Sequence, residues 1–161
     1  MGIRTIVNLR AFHQDADEIQ EAGLDKATFD LEQIPMFAWN IQTKDVVRFL
    51  KIAVDPRKQP VFVHCHYGAD RTGAMIAAYR MVIQQWTADQ AIAEMTGGGY
   101  GFHEIWWGLL DYLKSLDVER IRRQLTQASD LEERIVLALE KDVEGRQRAG
   151  EPRRAESRVP K

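Results

Sequence analysis

The chain has 161 residues, which is enough for one domain with a sizeable core and too few for two comfortable ones. Hydrophobic residues make up 45% and charged residues 29%, as in soluble globular proteins, and the net charge of -2 excludes an overall positive field that would attract nucleic acid or an anionic membrane. A single cysteine excludes an internal disulfide and argues against a structural zinc site, so we expect neither metal nor cofactor.

The N-terminal half predicts strands alternating with helices. The β-branched run at residues 5–9 predicts a buried strand, residues 16–22 a short helix, and residues 26–31 a second strand. Apolar residues then recur at helical spacing from Thr43, a predicted N-cap, until Pro56 stops the helix. The intervening segment IPMFAWN predicts a loop with exposed aromatic side chains.

The C-terminal half continues this alternation. The run VFVHC predicts a central strand, AMIAAYRMVIQQW a buried helix, and TADQ the capping box of another helix that the glycines at 97–99 end. Two further helices are predicted over residues 103–116 and 117–140, and residues 141–161 predict a charged, mostly disordered tail. Together these elements predict a single α/β domain around a mainly parallel sheet flanked by helices.

The N-terminus predicts no targeting segment. It has no long apolar run and no small-residue cleavage site, so neither a secretory signal nor a transmembrane helix is expected. With the lone cysteine, this favours the cytoplasm and no stable membrane insertion. A strand-like run begins within a few residues of the start, which is compatible with a further segment upstream.

The segment VFVHCHYGADRTGAMIAAYR carries the chemistry. A strand ends at Cys65, five residues follow, and Arg71 precedes the start of a helix. Such a loop can curl so that its backbone N–H groups and the helix N-terminus bind an anion, and the same environment favours a thiolate. Gly68 lets the backbone turn inward, and the planar guanidinium of Arg71 can bind two phosphate oxygens.

A thiolate beside a phosphate cradle predicts a two-step reaction. Cys65 would attack phosphorus in line, displace the alcohol and form a phosphocysteine, which water then hydrolyses. The cradle and Arg71 would stabilise the charge on the equatorial oxygens in both steps. The predicted function is therefore phosphate monoester hydrolysis.

The run HCHYGADRTG resembles the His-Cys-(x)5-Arg-Ser/Thr signature of protein tyrosine and dual-specificity phosphatases, in a form similar to bacterial dual-specificity members. The resemblance extends to GIRTIVNLR near the start and to IPMFAW, and it covers roughly residues 2–116. It implies a protein tyrosine phosphatase-like fold, with the phosphatase domain over residues 1–116. It implies phosphorylated protein, phosphoinositide or inositol phosphate as substrate.

The resemblance also implies roles for individual residues. Cys65 matches the nucleophile, Arg71 the phosphate-binding arginine, and Thr72 the hydroxyl that stabilises the leaving thiolate. His64 matches a supporting residue that shapes the cradle and helps set the thiol pKa, although it could equally be a hydrogen-bonded core histidine. The residues expected to bind substrate, through the backbone or the pocket wall, are His66, Tyr67, Gly68 and Ala69.

The chain departs from the family at the proton donor. Family members usually supply an aspartate from a mobile upstream loop, but IPMFAWN contains no carboxylate and Asn40 cannot act as an acid. Asp70, inside the cradle loop, is the first candidate, as in related phosphatases with an aspartate at this position. Asp30 lies near the usual upstream distance and is the second candidate. Asp70 could instead order the loop or pair with a cation.

Other roles stay open at this point. Trp106 and Trp107 could border the cleft, His103 could orient water, and Arg10 could approach the site from the end of the first strand. Two rival functions are a catalytically weak phosphate-binding module and another Cys-(x)5-Arg enzyme, such as an arsenate reductase or a rhodanese-like protein. Arsenate reductases normally use further cysteines, which this chain lacks.

Overall fold

The computed structural model describes residues 2–127, and the predicted tail and the end of the predicted 117–140 helix lie outside them. Of these, residues 2–125 form one compact unit. Its sheet has three strands, β1 (Thr5–Asn8), β2 (Asp30–Gln33) and β3 (Val61–His64). All neighbours are parallel, in the order β2-β1-β3, as the strand-helix alternation predicted.

Helices cover the sheet and supply most of the core. They are α1 (Asp15–Glu21), α2 (Thr43–Val54), α3 (Asp70–Val82), α4 (Ala88–Gly97), α5 (Gly108–Lys114) and α6, which is helical from residue 118 to 127. The small α/β fold is therefore confirmed. Among the described residues, no helix has both the length and the apolarity that crossing a membrane requires.

Helix α3 lies at the centre of the helical layer. It buries apolar side chains on several faces, which agrees with the largely apolar sequence from which a buried helix was predicted. The Arg80 guanidinium binds both Glu94 carboxylate oxygens on α4 at 2.8 Å. Arg122 of α6 donates to the last carbonyls of α3, those of Met81 and Val82, at 3.0 and 2.8 Å, and so satisfies groups that a helix end leaves unpaired.

Two predicted elements were placed wrongly. The second strand was expected at residues 26–31, but Lys26–Thr28 form a 3-10 turn and β2 begins at Asp30. The Asp25 side chain accepts the Ala27 N–H at 2.9 Å, which stabilises the turn in place of an extended strand. The single helix expected over 103–116 is a 3-10 turn at Glu104–Trp106 followed by α5.

The boundaries of the other helices agree better. Helix α2 begins at Thr43, although its N-cap is Gln42 rather than Thr43, and it ends before Pro56 as predicted. The capping box of α4 is present in full, with the Thr87 hydroxyl accepting the Gln90 N–H and the Gln90 side chain accepting the Thr87 N–H. Local signals with a defined hydrogen-bond pattern therefore predicted helix starts well here.

Candidate active site

The site lies at the carboxyl edge of the sheet, where all three strands end together. Asn8 is in register with Gln33 on one side and with His64 on the other. The chain leaves each strand at this edge, so the segments after β1, β2 and β3 converge there. Open parallel sheets bind ligands at this edge. In this chain the segment after β3 is the Cys65 loop.

Cys65 is the first residue after β3, and its side chain lies at the base of the loop that leads into α3. The residue is 6% exposed, and burial alone would raise its pKa. The nearby Thr72 hydroxyl, the backbone N–H groups of Thr72 and Gly68, and the charge of Arg71 together outweigh burial and lower the pKa of Cys65. The thiolate is thus stabilised by the groups that would cradle a phosphate.

The turn of the cradle depends on Gly68. Its φ is 74°, in the left-handed region that side-chain-bearing residues rarely adopt. No heavy atom lies within 4 Å of the position a Cβ would occupy, so the glycine is needed for its backbone conformation and not for space. The backbone N–H of Gly68 is also one of the groups that lower the pKa of Cys65, so the positive φ occurs at a residue that contributes to the thiolate environment.

The Thr72 hydroxyl lies near the Cys65 sulfur. Its buried Oγ1 has no partner of standard hydrogen-bond geometry among residues 2–127. It nevertheless lies close enough to the sulfur to be the largest of the influences that lower the pKa of Cys65. Because unpaired buried hydroxyls are costly, this group is suited to donate to the thiolate when it forms.

Arg71 is held by the ends of the neighbouring strand segments. Its Nη1 donates to the carbonyl oxygens of Leu9 at 3.4 Å and Met36 at 3.3 Å. Among the described residues, both of these bonds come from Nη1. The Nε and Nη2 atoms are therefore left to bind the oxygens of a phosphate. An arginine held in this way meets a phosphate at little cost in side-chain entropy.

His64 has a defined orientation. Its Nε2 lies 2.9 Å from Asp15 Oδ2, and its Nδ1 lies 3.2 Å from the Cys65 carbonyl oxygen. Asp15 is 8% exposed and also accepts hydrogen bonds from Asn8 Nδ2 and Arg10 Nη2, each at 2.7 Å. His64 is therefore bonded both to the backbone of the nucleophile and to a buried carboxylate.

The two candidate proton donors lie in different places. Asp30 starts β2 in register with Thr5, at the amino edge of the sheet and away from Cys65. Asp70 is 5% exposed at the start of α3, where Oδ1 accepts the His103 backbone N–H and Oδ2 lies 2.9 Å from His103 Nδ1. The choice of Asp70 over Asp30 agrees with this placement, and the role of Asp70 as an acid stays a prediction.

One wall of the cleft above the loop is aromatic. The rings of Phe37 and Trp39 stack at 4.7 Å, Phe12 lies 5.7 Å from Phe37, and Trp106 lies 5.8 Å from Trp39. The whole cleft holds about 260 Å³. The sequence predicted exposed aromatics in the loop and a cleft role for Trp106 or Trp107. The structure places Trp106 in the cleft wall and not Trp107.

The other predicted substrate-binding residues lie around the loop. His66 and Tyr67 line the cleft with their rings 4.5 Å apart, and Ala69 is buried as the N-cap of α3. Arg10 lines the cleft but is paired with Asp15 at 2.7 Å and with Glu18 at 2.9 Å. Among the described residues, no group of three or more His, Cys, Asp and Glu side chains could hold a metal ion.

Sequence reasoning missed Asp15 and Phe12. Asp15 starts α1 within the acidic run DADE, which looks like an ordinary solvated helix start. Phe12 follows β1 by a few residues and carries no motif. The available signal was topological, because both residues follow the end of β1, next to the strand that leads to Cys65.

Known proteins share this fold. The family model described as DSP-PTPase phosphatase fused to NAD+ kinase matches residues 1–104. The chain therefore belongs to that family of cysteine-based dual-specificity phosphatases, as the signature indicated.

Three individual relatives are informative. The dual specificity protein phosphatase TpbA of Pseudomonas aeruginosa is 30% identical over 123 residues, which is 76% of this chain and 54% of the relative. This chain thus spans about half the length of that relative. A crystal structure of a TpbA variant in complex with pTyr has a TM-score of 0.64 at 26% identity, covering 77% of this chain and 74% of the other. The catalytic domain of the Saccharomyces cerevisiae PP-IP phosphatase SIW14, with a TM-score of 0.66 at 21% identity over 79% of this chain and 75% of the other, shares the fold.

Proposed function

We propose that the chain hydrolyses phosphate monoesters through a phosphocysteine intermediate, without a metal. The observation that carries the proposal is a nearly buried thiol whose pKa is lowered by Thr72, Gly68 and Arg71. A buried cysteine with a merely structural role has no use for such groups, and burial alone would make it less reactive.

The geometry supports a division of roles in the first step. The Cys65 thiolate attacks phosphorus while the cradle N–H groups and Arg71 hold the equatorial oxygens. The P–O bond to the alcohol breaks as the S–P bond forms. Because the carbonyls of Leu9 and Met36 already hold Nη1, the guanidinium needs little reorganisation to bind phosphate.

In the second step water attacks the phosphocysteine and the thiolate leaves. The Thr72 hydroxyl, buried beside the sulfur, donates to the departing thiolate and lowers the barrier to S–P cleavage. His64, held by Asp15, keeps the backbone around Cys65 in place through both steps. Ala69 and the start of α3 supply the helix end that faces the anion.

Within this function, we propose an aryl phosphate such as phosphotyrosine in a protein as the preferred substrate. Phe12, Phe37, Trp39 and Trp106 form a continuous aromatic wall beside the cradle, which suits a flat apolar leaving group. TpbA, which has been crystallised with pTyr, is a dual specificity protein phosphatase by name.

An inositol phosphate or phosphoinositide is the second candidate substrate, because an inositol diphosphatase is among the relatives and SIW14 shares the fold. A polyphosphate needs several cations around the reacting group. Apart from Arg71, the arginine in the described cleft is Arg10, whose charge is balanced by Asp15 and Glu18. This charge distribution favours the aryl phosphate.

The alternative of a catalytically weak phosphate-binding module is less well supported. A binding module needs the cradle but not a thiol with a lowered pKa or a hydroxyl beside it, and this chain has both. Residence in the cytoplasm stays a prediction.

The proposal is tested by phosphate release from p-nitrophenyl phosphate, a phosphotyrosyl peptide, a phosphoseryl peptide, a phosphoinositide and an inositol diphosphate. We expect the wild type to favour the aryl substrates, Cys65→Ser to be inactive, and Arg71→Lys to lose about 100- to 1,000-fold in kcat/KM. Activity that survives Cys65→Ser would refute the mechanism. Higher kcat/KM on the inositol diphosphate would refute the substrate preference alone.

A further inference from the structure

Asp70 binds a histidine from a distant part of the chain. Its Oδ1 accepts the backbone N–H of His103 at 2.9 Å, and its Oδ2 lies 2.9 Å from the ring Nδ1 of the same residue. Asp70 is the first residue of α3, directly after the cradle loop, whereas His103 precedes the 3-10 turn at Glu104–Trp106. One carboxylate thus fixes both the main chain and the side chain of His103.

This pairing determines which ring nitrogen can exchange a proton. Both oxygens of Asp70 face nitrogen atoms of His103, and a backbone N–H can only donate. We assign the proton between Oδ2 and Nδ1 to the imidazole, because carboxylic acids are stronger acids than imidazolium. With Nδ1 committed, Nε2 is the atom that remains for proton exchange.

His103 contacts residues that line the cleft, and its side chain is accessible to solvent. Its side chain is 47% exposed, whereas that of Asp70 is 8% exposed. Asp70 and Tyr67, which contact the imidazole, both line the cleft, and the Tyr67 ring lies 5.3 Å from the His103 ring. The backbone N–H of Trp106 donates to the His103 carbonyl oxygen at 3.0 Å, and Trp106 lines the cleft as well.

We propose that His103 is the proton donor and acceptor of the reaction and that Asp70 is a positioning residue acting through it; this rests on the proposed function. When Cys65 attacks phosphorus, the leaving oxygen takes a proton from Nε2 of the imidazolium as its bond to phosphorus breaks. The neutral imidazole then removes a proton from the water that attacks phosphocysteine, the S–P bond breaks to release the Cys65 thiolate, and the imidazolium is restored.

This assignment explains two features of the chain. The segment IPMFAWN, which follows β2, has no carboxylate, so the usual loop acid is absent from it. Asp70 is a poorly placed direct donor, because each of its oxygens already faces a nitrogen atom of His103 and its side chain is only 8% exposed. Among residues 2–127, the groups that face the imidazole are Asp70 at the start of α3 and Tyr67 in the cradle loop, and Glu104 follows His103 in the chain.

The experiment compares leaving groups. A general acid matters for phenyl phosphate, whose phenol leaves poorly without a proton, and much less for p-nitrophenyl phosphate. We expect His103→Ala to lose about 100-fold or more in kcat on phenyl phosphate and under about 10-fold on p-nitrophenyl phosphate. The basic limb of the wild-type pH profile should disappear in the variant, and added imidazole should restore part of the phenyl phosphate rate.

Two further variants separate the roles. Asp70→Asn should reduce the phenyl phosphate rate less than His103→Ala while keeping a basic limb, because the imidazole remains but is oriented less well. Glu104→Gln, which changes an exposed carboxylate next to His103, should behave as wild type.

The outcomes are distinct. Equal losses on both substrates in His103→Ala, with no imidazole rescue, would overturn the proposal and leave His103 as a structural partner. Loss of the basic limb in Asp70→Asn together with its retention in His103→Ala would overturn it in favour of Asp70 as the acid. A wild type that releases no phosphate from any substrate would refute the proposed function instead.

Discussion

Replacing Thr72 with valine removes the hydroxyl beside the Cys65 sulfur and leaves a side chain of similar shape. That hydroxyl is the largest of the influences that lower the pKa of Cys65, ahead of the two backbone N–H groups and the charge of Arg71. The sulfur is nearly buried, so water cannot readily replace the lost hydrogen bond. The thiolate should therefore lose stability relative to the thiol.

The size of the effect follows from the charge on the acceptor. A hydrogen bond to a charged group contributes about 1.5–3 kcal/mol, and one pH unit of pKa corresponds to about 1.36 kcal/mol. Thr72→Val should then raise the pKa of Cys65 by about 1 to 2 pH units. Because a lowered pKa favours the thiolate, the variant should need a higher pH for the same reactivity.

The assay is alkylation of the protein by iodoacetamide as a function of pH. Cys65 is the single cysteine of the chain, so the mass increase reports on this thiol alone. Thr72→Ser keeps a hydroxyl and should keep the wild-type midpoint. Thr96→Val makes the same chemical change at an exposed hydroxyl on α4, whose bond is to the Ile92 carbonyl, and should also leave the midpoint unchanged.

An alkylation midpoint of Thr72→Val equal to that of the wild type would refute the role of the Thr72 hydroxyl in lowering the pKa of Cys65. The backbone cradle and Arg71 would then be sufficient to hold the thiolate. A second readout is kinetic. Without the Thr72 hydroxyl, the Cys65 thiolate should leave phosphorus more slowly in the second step, so phosphocysteine should accumulate. Thr72→Val should show a burst of phenol release before steady state, which the wild type lacks.

Three further predictions concern the cradle, its support and the cleft. Gly68→Ala should lower the free energy of unfolding by about 1–2 kcal/mol in urea because of its positive φ, whereas Gly97→Ala, at a helix end with a negative φ, should not destabilise. Asp15→Ala should cost about 2–4 kcal/mol in the same assay, since three partners lose one buried acceptor, and a change under about 0.5 kcal/mol would contradict this. Trp39→Ala should raise KM for a phosphotyrosyl peptide about 2- to 10-fold, and Trp107→Ala, which lies outside the cleft wall, should leave it unchanged.

The nucleophile loop could be predicted from sequence because its chemistry is local. Cys65, Gly68, Arg71 and Thr72 are close in the chain, and the strand before them and the helix after them fix their relative positions. The same holds for the capping box at Thr87, whose partners are three residues apart. Each of these features depends on short-range backbone geometry.

The remainder of the site could not be predicted, because it depends on contacts between distant segments. The bond between Asp70 and His103 spans 33 positions, and that between His64 and Asp15 spans 49. No spacing rule connects such pairs. The misplaced second strand has a different cause, since the Asp25 side chain stabilises a turn where β-forming residues suggested an extended chain.

The aromatic wall and the nucleophile loop come from separate parts of the sheet edge. Phe12 follows β1, Phe37 and Trp39 follow β2, and the thiol with its cradle follows β3. The register of the three strands therefore joins the nucleophile loop to Phe12, Phe37 and Trp39, whereas Trp106 joins the wall from the segment after α4. An exchange of the segments after β1 and β2 would therefore change the aromatic wall, but it would have to keep the Leu9 and Met36 carbonyls that hold Arg71 and the Asp15 carboxylate that holds His64.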